Sequence, residues 1–125
     1  MTPFIKSYEA SAAVAANRIV VFSDVSASSK VATAAAATTP AIGVAGPMDT
    51  AAGGMCDVIL GGIATLKLGG TVTAGAPIMS DANGAGIAAA AASGETRRIV
   101  GFALEPGVSG DLISVNVAPS LLHLA

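Results

Sequence analysis

His123 and Cys56 are the only histidine and the only cysteine of the 125-residue chain, and they are the side chains best suited to chemistry. A catalytic triad or a histidine-based metal site needs an imidazole held by groups fixed around it. His123 stands close to the C-terminal end of the sequence, where such fixing is not expected. Cys56 sits beside Val58 and Ile59 in an apolar run, a setting in which a thiol behaves as a small core hydrophobe. The carboxylates Asp24, Asp49, Asp57, Asp81, Glu95, Glu105 and Asp111 are spread singly along the chain. Paired acid–base work needs two carboxyls held close together in environments that split their pKa values. Single aspartates next to Gly, Ser and Asn instead fit turns, where the carboxylate accepts from nearby backbone N–H groups. The glycines around Gly84 and Gly86 are spaced somewhat like a phosphate loop, but no helix follows to aim a dipole at phosphate. No catalytic residue, metal, cofactor or small-molecule substrate is expected.

Thr65-Leu66-Lys67-Leu68 sets a lysine between apolar residues, as biotinyl carriers do at their modification site. In carriers that lysine occupies an exposed hairpin tip, usually between methionines. Lys67 is followed by Gly69-Gly70 and reads as an outward-facing strand residue.

Composition narrows the class further. Hydrophobic residues make up 53% of the chain, yet aromatics are only 3% and Trp is absent, so alanine carries much of the apolar count. The core must be built from Val, Ile, Leu, Met and three Phe, and a core that thin calls for help from subunit contacts. Charged residues are 11% with a net charge of −2, and the one adjacent basic pair is Arg97-Arg98. That pattern offers no footprint for nucleic acid or for an anionic membrane. Mean hydropathy is +0.73. Even so, the longest uncharged stretch, Val31 to Met48, is broken by Pro40, Gly43, Gly46 and Pro47 where a spanning helix would need about 20 apolar residues. The start, Met1-Thr2-Pro3-Phe4-Ile5-Lys6, lacks the pattern of a signal peptide, and a lone cysteine fits synthesis in a reducing cytoplasm.

The elements that would position any site come in two matching sets. Val21-Phe22-Ser23-Asp24 returns as Ile78-Met79-Ser80-Asp81, and Lys30-Val31-Ala32 as Gly86-Ile87-Ala88. Ala41-Ile42-Gly43-Val44-Ala45 returns as Ile99-Val100-Gly101-Phe102-Ala103, and Asp57-Val58-Ile59-Leu60 as Asp111-Leu112-Ile113-Ser114. Four blocks recur in order, 54 to 58 residues apart. Two copies are too few for a solenoid. Short β-rich runs separated by Gly, Pro and Asp turns predict an all-β fold, a compact single-domain barrel or sandwich of related halves over about 18–60 and 75–117. Gly61-Gly62 predicts a tight hairpin between Met55–Leu60 and Ile63–Leu68. Residues 1–13 lie outside the duplicated blocks and read as an extended N-terminal arm, with 14–125 as the β-domain. Pro3, Phe4, Ile5 and Tyr8 are the arm's candidate contacts to a neighbouring subunit or partner surface.

These blocks, with Asp49-Thr50-Ala51-Ala52-Gly53-Gly54 after the first Gly-Val-Ala strand and Thr73-Ala74-Gly75-Ala76-Pro77 before the second half, carry a resemblance. Together they cover most of residues 18–117, and the order of strand, alanine run, Gly-Val-Ala strand and Gly-Asp turn resembles the capsid decoration (cement) proteins of tailed bacteriophages. Met55-Cys56 and the tail after Pro119 depart from the pattern. The resemblance implies a structural virion protein that forms homotrimeric knobs on the outer capsid surface. Such knobs stabilise the head over threefold or quasi-threefold junctions of the major capsid protein. The alternative is a tail- or fibre-associated β-module that binds a host receptor. Such modules carry exposed aromatics for ligand stacking, and after Phe22 this chain has only Phe102.

Overall fold

The computed structural model describes residues 4–24, 26 and 29–123, and all regular structure among them is β-strand. The strands are β1 (Phe4–Ala10), β2 (Ile19–Phe22), β3 (Lys30–Thr33), β4 (Ala41–Ala45), β5 (Met55–Lys67), β6 (Pro77–Ser80), β7 (Gly86–Ala88), β8 (Thr96–Ala103) and β9 (Leu112–His123). They hydrogen-bond in the order β1-β3-β2-β4-β5-β9-β8-β6-β7. An added antiparallel pairing of β1 with β5 closes the first five strands into a barrel. Of the barrel and the sandwich left open by the sequence, the fold is the barrel.

The same circuit recurs in the second half. β1 lies antiparallel to the first part of β5 and parallel to β3, with Ala10 opposite Val31. The second part of β5 lies antiparallel to β9, and its end meets β7 in a parallel bridge between Leu68 and Gly86. β2 pairs with β3 and β4 as β6 pairs with β7 and β8. Turn contacts repeat as well: Gly53 N donates to Ala10 O at 2.7 Å and Gly110 N to Leu68 O at 2.8 Å. Val14 and Thr50 exchange both backbone bonds, as do Val72 and Gly107. The duplication seen in the sequence is therefore a duplication of strand path.

Three details differ from the sequence reading. Gly61-Gly62 is not a hairpin, because β5 runs through it as one 13-residue strand. Apolar alternation continues in phase across the pair, with Cys56, Val58, Ala64 and Leu66 all buried, so nothing reverses the chain. At Gly62, with φ of +90°, the strand leaves β1 and β4 and takes up β9, a change of direction that a residue without Cβ makes freely. The repeated blocks are also shifted, the first two by one residue, because Val21 pairs with Ala32 as Met79 pairs with Ile87, and the last by three. Gly46 N donates to Asp57 O and Leu104 N to Ser114 O, so Asp57 corresponds to Ser114 and not to Asp111. Finally, Phe4–Ala10 is extended but pairs along its own chain, in the place that the end of β5 takes in the second barrel.

The interior shows the repeat most plainly. Tyr8, Ala10, Val14, Val20, Ala45, Cys56 and Val58 form one buried cluster. Their counterparts by register, Leu66, Leu68, Val72, Ile78, Ala103, Ile113 and Val115, lie in the other. That second cluster also takes in Ile19, Val21, Ala34 and Val44 from the first barrel, so the two barrels share one hydrophobic seam. Burying each Ile, Val or Leu there contributes roughly 1.5–3 kcal/mol relative to exposure.

Gly43 and Gly101 mark a second constraint. A Cβ at Gly43 would run into the carbonyl oxygen of Ile59, and one at Gly101 into that of Asn116. Both strands therefore pass closer to their neighbours than any side chain allows, and both repeats keep glycine there.

Candidate interaction surface

The residues best suited to chemistry are held apart, each by local bonds. His123 ends β9 with its Nδ1 2.8 Å from Thr96 Oγ1, exposed. Cys56 is buried in the first barrel, and desolvation pushes its thiol pKa up, with Thr50 opposing and Asp57 adding to the shift. It fills the place of Ile113, as a core hydrophobe does.

Five of the carboxylates accept from backbone, and Asp57 accepts from Ser7 Oγ. Asp24 Oδ1 accepts from Ser26 N and Oγ, and Asp81 Oδ1 accepts from Asn83 N and Ala85 N. Asp49 accepts from Ala16 N and Asp111 from Val108 N. Glu95 accepts from Ala92 N and pairs with Arg97 at 3.0 Å, and these contacts hold its pKa below the ordinary carboxylate value. Among the described residues no three His, Cys, Asp or Glu side chains come together as a metal site would require. Lys67 is half-buried at the end of a continuous strand and not on a hairpin tip.

The predicted contact residues divide. Pro3 lies outside the described residues. Phe4, 78% exposed, and Ile5, also exposed, open β1 side by side. Tyr8 points into the core instead, its ring edge-on to Phe22 at 5.4 Å and 83° with Lys6 Nζ 5.3 Å from its centroid. The period-2 alternation of a strand explains the split: Tyr8 and Ala10 share the inner face.

Two surfaces went unrecognised in the sequence. Across β8, β9 and β5, Phe102 stands opposite Asn116, which stands opposite Ile63, while Leu112 stands opposite Lys67. Phe102, Ile63 and Leu112, with Leu104 just beyond β8, are exposed and make the outer face of the second barrel apolar with polar residues between. Exposed apolar side chains gathered on one sheet face make it a candidate interaction surface. The other is a groove of about 400 Å³ beside the β4–β5 turn, with the exposed Met48 and Met55 along it. Phe102, Ile63 and Leu112 fall out of phase with the buried residues of their strands, which places them on the outer face without telling whether that face is covered.

Among the described residues the surface therefore offers exposed apolar faces and no assembled group of metal-ligating side chains. No curated protein sequence matches the chain. Among solved structures, the N base of the head fiber gp8.5 of bacteriophage phi29 shares the fold, with a TM-score of 0.71 over 98% of this chain and 99% of that one, at 18% identity. A family model described as phage cement protein matches residues 5–119, which spans both barrels including β1 and most of β9. The chain belongs to the phage cement protein family, whose members are structural proteins of the virion.

Proposed function

We propose that this protein decorates the outer surface of a phage head, where a homotrimer bridges major capsid protein subunits near threefold or quasi-threefold positions and stabilises the shell. The observation that carries the reading is the family match over both barrels, joined to the exposed apolar faces. Phe4 and Ile5 supply one contact, because two large apolar side chains at the start of an edge-forming strand gain most by burial against a partner. The test is to add purified protein to heads lacking it and measure occupancy and the temperature at which heads rupture. Saturable binding and a higher rupture temperature are expected. A protein that ignores heads and binds purified tails refutes the reading.

A second reading has its own support. The fold similarity to the base of a head fiber favours a chain that anchors a fibre on the virion, with receptor contact made by that fibre. Pull-down on host cell surfaces separates the two, since only the fibre reading expects the virion to lose adsorption with this protein.

A further inference from the structure

The two barrels of one chain are joined by a face that the second barrel also possesses and leaves uncovered. On the first barrel the seam consists of Ile19, Val21, Ala34 and Val44, all buried. Register fixes their counterparts. Ile19 pairs with Val44 as Pro77 pairs with Phe102, and Val21 pairs with Ala32 as Met79 pairs with Ile87. Val44 is fully buried, whereas Phe102, in the same position, is 38% exposed. Pro77 and Met79 are only partly covered.

The opposite side of the seam shows the same asymmetry. Ala64, Val100 and Val117 of the second barrel share the cluster with the first-barrel residues and are buried. Their counterparts on the first barrel are Lys6, Ile42 and Leu60, exposed or half-covered. Phe4 and Ile5 precede Lys6 on the same strand. Each chain thus ends in two unmatched surfaces, which are related to the two surfaces already packed together inside it.

We propose that these surfaces pack between chains, with the Phe102–Met79–Pro77 face of one copy against the Lys6–Ile42–Leu60 end of the next. This deepens the self-association within the proposed function and rests on it. The occupant is a second copy because the covered version of the junction lies within the chain itself and supplies the matching shape. Two different patches meet, so the contact is heterologous, and such contacts close into rings when the rotation permits. A ring of three copies meets the trimer expected of the capsid-bound protein. The contact between chains is weaker than the one within the chain. Inside it, Ile19 N donates to Gly84 O at 2.8 Å, Lys67 N to Asn17 O at 2.9 Å and Arg98 N to Ala37 O at 2.7 Å. Pro77 stands where Ile19 does and has no N–H, so the first of these bonds cannot recur.

The experiment uses the full chain in solution. Lys6→Cys and Phe102→Cys are made separately, given tags of different size, and treated with a short bismaleimide singly and as a mixture. The native Cys56 is buried and serves as the background control. The expected product joins a Lys6→Cys chain to a Phe102→Cys chain and forms only in the mixture. Phe102→Glu is expected to weaken association by about tenfold or more in sedimentation, with the circular dichroism of the folded chain unchanged. Three outcomes overturn the proposal: a product joining two Phe102→Cys chains alone, no product from an oligomeric protein, or a wild-type protein that stays monomeric at the highest concentration reached. Cross-linking in solution is independent of heads. Loss of head binding alone therefore refutes the capsid reading and leaves this contact standing.

Discussion

Adding one methyl group at Gly101 tests whether the close approach of β8 to β9 is a fixed feature of the repeat. A Cβ there would overlap the carbonyl oxygen of Asn116 and lie 2.9 Å from its carbon and 3.1 Å from Ala118 N. All three obstacles are backbone atoms, so no side chain can swing aside and the strands must separate. Overpacking of this kind costs typically about 1–3 kcal/mol. The φ of Gly101 is not in the left-handed region, so alanine should otherwise gain about 0.4–1 kcal/mol by restricting the unfolded chain. Steric overlap with backbone is the larger effect, and Gly101→Ala is expected to lose about 1–2 kcal/mol net. For a chain of this size that corresponds to roughly 4–8 °C in melting temperature. Gly43→Ala should behave alike. Gly61→Ala is the control, because its Cβ would meet only Phe4 Cβ at 3.7 Å, an ordinary contact. Urea denaturation of the three variants provides the comparison. A Gly101→Ala protein as stable as wild type, or a Gly61→Ala protein damaged as severely, refutes the argument.

Cys56 should resist alkylation in the native protein and react once it unfolds. Its raised pKa also means that stability falls as pH rises past the ordinary thiol value, where the unfolded chain ionises first. Cys56→Val should change stability by less than about 1.5 kcal/mol and remove that pH dependence, since the second barrel has Ile113 in the same place. Tyr8→Ala should cost about 3 kcal/mol by emptying the space beside Phe22, and Tyr8→Leu clearly less, because Leu66 fills the corresponding site; chemical denaturation measures both. Deleting residues 2–8 should prevent folding, because it removes the strand that closes the first barrel. Phe4→Ser with Ile5→Ser should leave folding intact and lower occupancy on purified heads, measured by gel densitometry. Full occupancy would place the docking surface elsewhere.

The short β-rich runs were legible because most combine β-branched residues with flanking turn residues, whereas Phe4–Ala10 read as an arm and Met55–Lys67 as the two strands of a hairpin. The repeat was legible in its Gly-Val-Ala strand, where the close backbone approach demands glycine at both Gly43 and Gly101. Its first two blocks slipped by one residue and its last by three, because short apolar runs and the aspartates Asp57 and Asp111 look alike in sequence, while only strand pairing and hydrogen bonding show that Met79 occupies the place of Val21 and Ser114 that of Asp57. Gly61-Gly62 resembled a hairpin because a glycine pair signals positive φ without revealing whether the chain turns back or merely changes partners. The interaction surface was the least legible part. Val44 and Phe102 are equivalent in their barrels, and what buries one and exposes the other is the packing of barrel on barrel, which no local pattern records.

Electron microscopy of intact virions, with this protein located by a small fused tag, measures the central claim most directly. An ordered array on the outer shell is expected, with density for this chain spanning neighbouring major capsid protein subunits at threefold or quasi-threefold positions. Tag density confined to the tail, with a bare shell, would contradict it.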